Sequence, residues 1–152
     1  MAGDVLVSGE TPSQTVGPFL AIGLPWENGP VADADGVRIS GLVLDGAGKP
    51  VPDALVEAWH HDPPAFARCP TDDEGRWSVV VPPAPYYAVH VLARGLLRHL
   101  TTRVYLETPA DDPVLARVPE ERRGTLLAER TSEGYRFDIR LQGDDETVFF
   151  DV

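Results

Sequence analysis

From residue 38 onward the chain is a succession of short segments in which apolar and polar residues alternate with a period of two, the spacing that puts one face of a strand inward. The segment 54–61 shows it most clearly: Leu55, Glu57 and Trp59 fall on one face, and Val56, Ala58 and His60 on the other. A strand over 38–45, the turn residues 46–49 and this segment read together as a hairpin. A second turn at 72–75 leads into a strand over 76–81 that stops at Pro82-Pro83. The two richest β runs, 86–94 and 97–107, are split by Arg94-Gly95, where glycine permits a tight bend, and are expected to pair antiparallel. Strands over 125–130, 135–142 and 146–152 follow, the first two joined at 131–134. Only 111–118 carries helix signals, with Asp111 or Asp112 as cap and Pro113 in the first turn. The pattern predicts an all-β fold, an antiparallel β-sandwich of about seven or eight strands with little helix.

The first 37 residues lack this pattern. Thr11-Pro-Ser-Gln-Thr-Val-Gly-Pro-Phe19 is polar and bracketed by Pro12 and Pro18, which fix φ and push each preceding residue toward extended geometry. Residues 27–37 form a turn-rich linker. The expected organisation is therefore an extended arm and linker over 1–37 and a sandwich over 38–152. Taken alone, such an arm is either a loosely held N-terminus or a docking segment.

Length and charge narrow the function classes. At 152 residues the chain suits one domain with a substantial core. With 24 Asp and Glu against 13 Lys and Arg, the net charge of −11 argues against nucleic acid or an anionic membrane as partner. The single cysteine, Cys69, excludes an internal disulfide and any multi-thiolate zinc site. The opening MAGDVLVSGE carries acidic residues and only a three-residue apolar run, so no signal peptide or membrane span is read there and a cytoplasmic location is expected. Arginines cluster late in the chain and supply cations against this acidic background.

Self-contained catalytic constellations are weak. Ser13 lacks a nucleophile elbow, Cys69 precedes a proline with no activating neighbour, and Gly46-Ala-Gly48 leads into a strand rather than a helix. Asp111-Asp112, Glu120-Glu121 and Asp144-Asp145 lie in polar segments and read as solvated charge. His60 and His61 point to opposite faces of one strand, while His90 and His99 stand alone.

Several segments in order resemble the intradiol ring-cleaving dioxygenase family: TPSQTVGPF at 11–19, Gly41 to Val51 followed by Ala54 to Trp59, Leu92-Ala-Arg-Gly95, and YRFDIRLQGDDETVFFDV at the C-terminus. The resemblance spans nearly the whole chain, which is shorter than is usual for the family after residue 24 and after Asp62. It implies a non-haem Fe(III) held by two tyrosines and two histidines, with the histidines as His-x-His on one strand. Period two lets both rings reach one ion. With Arg94 as anchor, those positions fall on Tyr86 and Ala88, so the family's ligand pattern is not met. An improvised site using Tyr86 or Tyr87 with His90 is the weaker reading, against tyrosines packed at a sandwich edge with solvated hydroxyls.

The resemblance further implies an iron-free α chain paired with a homologous iron-binding β subunit. No catalytic residue and no metal ligand is expected in this chain alone. Thr15, Gly17 and Pro18 of the arm, with Arg94, would instead line a shared pocket for an aromatic carboxylate, protocatechuate or a close relative. That substrate would be opened by O2 between its hydroxyl-bearing carbons to a carboxylated cis,cis-muconate. Glycine permits close backbone approach, proline stiffens the wall, and arginine offers a planar fork to a carboxylate. By itself Arg94 reads as a structural arginine at a strand end. The alternative function is a non-catalytic binding or interaction module on the same fold. Phe19 departs from the tyrosine usual in the family at that position, which removes a hydroxyl contact. The apolar end 147–152 is expected to dock on the core or on a partner.

Overall fold

Two facing sheets carry the period-two segments in the computed structural model, which describes residues 11–151. The acidic opening 1–10 and Val152, the end of the last expected strand, lie outside the described residues. In chain order the strands are β1 (Val37–Leu44), β2 (Leu55–His61), β3 (Pro64–Pro70), β4 (Arg76–Val81), β5 (Tyr86–Leu92), β6 (Leu100–Tyr105), β7 (Glu129–Thr131), β8 (Gly134–Arg136) and β9 (Ile139–Arg140). One sheet has the order β4-β1-β8-β7, with β9 also on β1, and the other has the order β3-β2-β5-β6. Ile39, Val43, Val79 and Val81 of the first sheet meet Val56, Ala58, Tyr87, Val89, Val91 and Val104 of the second, all buried. Each such aliphatic side chain contributes about 1.5–3 kcal/mol by leaving water.

Several expectations change. β1 and β2 are not a hairpin: β1 pairs with β4, β8 and β9, whereas β2 pairs with β3 and β5. The turn after β1 does close, with Asp45 N–H on Lys49 O at 2.9 Å and Val51 N–H on Val43 O at 2.9 Å. Pro50 and Pro52 then lack the donors that a longer ladder needs, so the chain crosses to the other sheet. β1 also pairs in parallel with β8 and β9, a feature that alternation alone does not reveal.

The segment after Asp62 holds a strand that the sequence reading passed over. β3 begins and ends with proline and lies at the sheet edge, where a missing N–H is tolerated. The C-terminal run docks as expected but forms no strand. Thr147 N–H reaches Arg140 O, while Phe150 N–H reaches Thr101 O and the Thr102 hydroxyl reaches Val148 O. The tail therefore covers the β6 edge with scattered bonds rather than a ladder.

Among the described residues helix is limited to single turns. Asp112 caps the expected one, accepting from the N–H groups of Val114 and Leu115 at 2.9 and 2.8 Å, and Leu115–Arg117 is a 3-10 turn. Two α turns were not foreseen, α1 (Leu20–Gly23) in the arm and α2 (Glu120–Arg123). Among the described residues no helix is long and apolar enough to cross a membrane. Tyr87 lies on the inner face, fully buried, and its hydroxyl donates to Pro82 O at 2.7 Å. Burial, with the Asp33 charge adding to it, pushes this phenol up to about 12, so Tyr87 is a core residue and not a solvated edge tyrosine.

Candidate functional site

The connection between β5 and β6 turns at Ala93 to Leu96, closed by Leu96 N–H on Ala93 O at 3.2 Å. Gly95 takes φ +91° at the third position of this turn, a conformation that favours glycine. The turn leaves the Arg94 side chain outside, 61% exposed, with Nη2 2.9 Å from Asp53 Oδ2. Asp53 sits in the crossover between β1 and β2, a partner that no sequence pattern singled out. An ion pair this exposed is worth about 0–1 kcal/mol, so the guanidinium is held loosely enough to exchange Asp53 for another carboxylate.

The arm reaches the same turn. The Thr15 hydroxyl oxygen accepts the Gly95 N–H at 3.0 Å, across eighty residues of sequence, and lies 3.4 Å from Gly17 N. Its own proton remains available to donate. Gly17 adopts φ +70°, and a Cβ there would meet nothing within 4 Å, so the backbone conformation and not crowding calls for glycine. Pro18 follows it, and Phe19 is 75% exposed. Thus the structure brings Thr15 to the residue beside Arg94 and places Gly17 and Pro18 on the same docked arm. A wide groove of about 1060 Å3 on the other sheet, lined in part by Arg38, Arg76 and Arg136, contains none of these residues.

The positions assigned to metal ligands lie elsewhere, on the outer face of β5. Ala88 offers no donor atom. The ring of Tyr86 lies 4.4 Å from the Arg103 guanidinium. Arg103 Nη1 is 3.3 Å from the Tyr105 hydroxyl and 3.5 Å from Asp112 Oδ2, and the Tyr105 hydroxyl donates to Asp112 Oδ1 at 3.1 Å. Burial acts to raise the Asp112 carboxyl, but the Leu115 and Val114 N–H groups, the Tyr105 hydroxyl and Arg103 outweigh it and hold it below the usual carboxylate range. A ferric ion would need two phenolates and two imidazoles here. The family's iron does not fit residues of which one is alanine and the other is covered by a fixed cation. His90 does not rescue the site: its Nδ1 faces Glu57 Oε2 at 3.5 Å, and its ring lies 4.9 Å from that of His99. Among the described residues no cluster of three His, Cys, Asp or Glu side chains is placed to hold a metal. Cys69 is half-buried, and burial pushes its thiol up, against a lowering bond from Ser78 N–H and with Asp72 adding to the rise.

A second anchor of the arm was also missed. Arg68 N–H bonds Gly29 O at 2.8 Å, and its Nη1 bonds Leu24 O at 3.0 Å, which ties the arm's root to β3. The alternation of Phe66 and Arg68 was the available signal, hidden by the flanking prolines.

No family model matches the chain. It is 40% identical over 192 aligned positions to a protocatechuate 3,4-dioxygenase alpha chain of Burkholderia cepacia, covering 94% of this chain and 98% of that one. A protocatechuate 3,4-dioxygenase alpha chain of Pseudomonas putida is 34% identical over 193 positions, with 93% and 96% covered. Both alignments are longer than the 152 residues here, so these relatives carry segments with no counterpart in this chain. A protocatechuate 3,4-dioxygenase beta chain of Burkholderia cepacia is 31% identical over 157 positions, covering 73% of this chain and 66% of that one. Among solved structures, catechol 1,2-dioxygenase from Pseudomonas arvilla C-1 shares the fold, with TM-score 0.50 and 23% identity over 74% of this chain. The match spans 55% of that longer chain.

Proposed function

The chain belongs to the family of protocatechuate 3,4-dioxygenase alpha chains, within the intradiol ring-cleaving dioxygenases, and from that membership we propose that it is the iron-free subunit of a heteromeric dioxygenase. Its family is non-haem iron-dependent in general, and the beta-chain likeness supports a homologous partner subunit; in this reading that partner holds the Fe(III). In this reading the chain binds, orients and shields a carboxylated catechol, protocatechuate, that the complex opens with O2. The complex acts in the cytoplasm, in aromatic catabolism.

One observation carries the reading: Thr15 of the arm is hydrogen-bonded to Gly95, the neighbour of an exposed Arg94. Arg94 presents a planar fork to the ring carboxylate, for which Asp53 holds the place in the free chain. Thr15 keeps a proton to donate, and Gly17 with Pro18 forms a stiff wall that excludes water at little entropic cost. Positioning of this kind lowers a barrier without this chain supplying a reacting group.

The test is co-expression with an iron-binding beta chain and assay of oxygen uptake on protocatechuate. Activity is expected in the complex and not in this chain alone. Turnover by the isolated chain overturns the assignment.

A further inference from the structure

Arg68 gathers more contacts than a surface arginine of a β-sandwich needs. Glu57 and Arg68 are register partners across β2 and β3, and Arg68 Nε donates to Glu57 Oε1 at 2.8 Å. The Glu57 side chain is only 13% exposed, so its charge depends on this partner. The opposite side of the guanidinium lies 5.0 Å from the Trp26 ring and 5.3 Å from the Phe66 ring, and those two rings stack at 5.9 Å and 11°. The third element is main chain: Arg68 Nη1 donates to Leu24 O, and the backbone N–H of residue 68, independent of its side chain, donates to Gly29 O. One residue thus ties segment 24–29 to the outer face of the β3-β2-β5-β6 sheet by charge, by ring contact and by two carbonyls.

That segment is the root of the arm. Beyond it toward the N-terminus come α1, whose Leu20 is buried while Ile22 is 78% exposed, and then Pro18, Gly17 and Thr15. We infer that Arg68, with Trp26, is a positioning residue that fixes the arm's root and so holds the Thr15 to Pro18 wall beside Arg94. Arg68 touches no part of the candidate pocket itself and acts through the arm. The inference rests on the function proposed above. A guanidinium suits the task because it pairs with Glu57 along one edge while its face meets a ring and another nitrogen reaches a carbonyl; a lysine ammonium cannot do all three.

The test uses the assembled complex with its iron-binding partner. Arg68→Lys keeps a cation for Glu57, and Trp26→Ala removes the half-exposed ring without stranding a charge, so neither variant depends on the fold surviving a bare buried carboxylate. Two quantities are read: the rate of chymotryptic cleavage after Phe19, followed by mass spectrometry, and KM for protocatechuate and for unsubstituted catechol. The anchor predicts cleavage faster by about tenfold in either variant, from the loss of one cation–π contact and the bonds it aligns. It also predicts a KM increase shared by both catechols, since the wall and not the carboxylate fork is disturbed. A purely structural role for Arg68 would lower the yield of complex and leave KM and arm cleavage unchanged, and unchanged cleavage in both variants overturns the inference. Faster cleavage with no change of KM upholds the anchor and instead overturns the reading of the arm as a pocket wall.

Discussion

Two arginines, one in the bend between β5 and β6 and one in the strand that follows it, meet opposite environments. Arg103 in β6 is 23% exposed, lies over Tyr86 and is tied to Tyr105 and Asp112 within a closed polar cluster. Arg94 at the bend is 61% exposed, with Asp53 its one acidic neighbour among the described residues. The difference separates two uses of the same side chain. A cation whose donors are committed inside the fold stabilises that fold and excludes another cation, whereas a cation at the surface with one weak partner is available to an anionic ligand. The region where the family would hold iron is therefore closed, and the region that would meet the substrate is open.

The largest expected effect breaks the closed side. Asp112→Ala removes the cap of the 3-10 turn and the partner of Arg103 and Tyr105, and is expected to lower stability to urea by about 2–3 kcal/mol. The pH dependence sharpens the same point. The folded Asp112 carboxyl is held below its unfolded value, so its contribution is complete above about pH 4 and is lost as the pH falls through the lower folded value. The stability gap between the parent chain and Asp112→Ala should narrow on acidification over that range. A gap that stays constant or widens would show that the carboxylate charge is not what holds the cluster.

The smallest expected effect lies on the open side. Asp53→Asn frees the Arg94 fork from its resident carboxylate, and KM of the complex for protocatechuate should fall by about twofold, in keeping with an exposed pair. No change in stability beyond about 0.5 kcal/mol should accompany it. A rise in KM would mean that Asp53 aims the fork instead of competing for it.

These contrasts also show what alternation could reveal. The long strands β2, β4, β5 and β6 were legible because one face of each is buried and the other is not, as with Val56 and Ala58 against Trp59. β3 was hidden by its terminal prolines, and the parallel pairing of β1 with β8 and β9 depends on contacts far apart in sequence. The departure from the metal-ligand pattern at Ala88 was visible in the sequence. The reason the neighbouring tyrosine is unavailable was not, because it depends on Arg103 arriving from the next strand. The four candidate pocket residues came from the family resemblance. Asp53 carried no local signal, and the alternation that marks Arg68 was masked by the flanking prolines; the contacts of Asp53 with Arg94 and of Arg68 with the arm's root emerge only from register and crossover geometry.

The proposed role of Arg94 is to give a shared pocket its carboxylate fork. Its most direct test is the ratio of KM for protocatechuate to KM for unsubstituted catechol, measured on the complex with and without Arg94→Ala. Loss of a charge-assisted pair predicts that this ratio rises by about tenfold or more, with the catechol value little changed. Equal changes for both substrates would contradict the account.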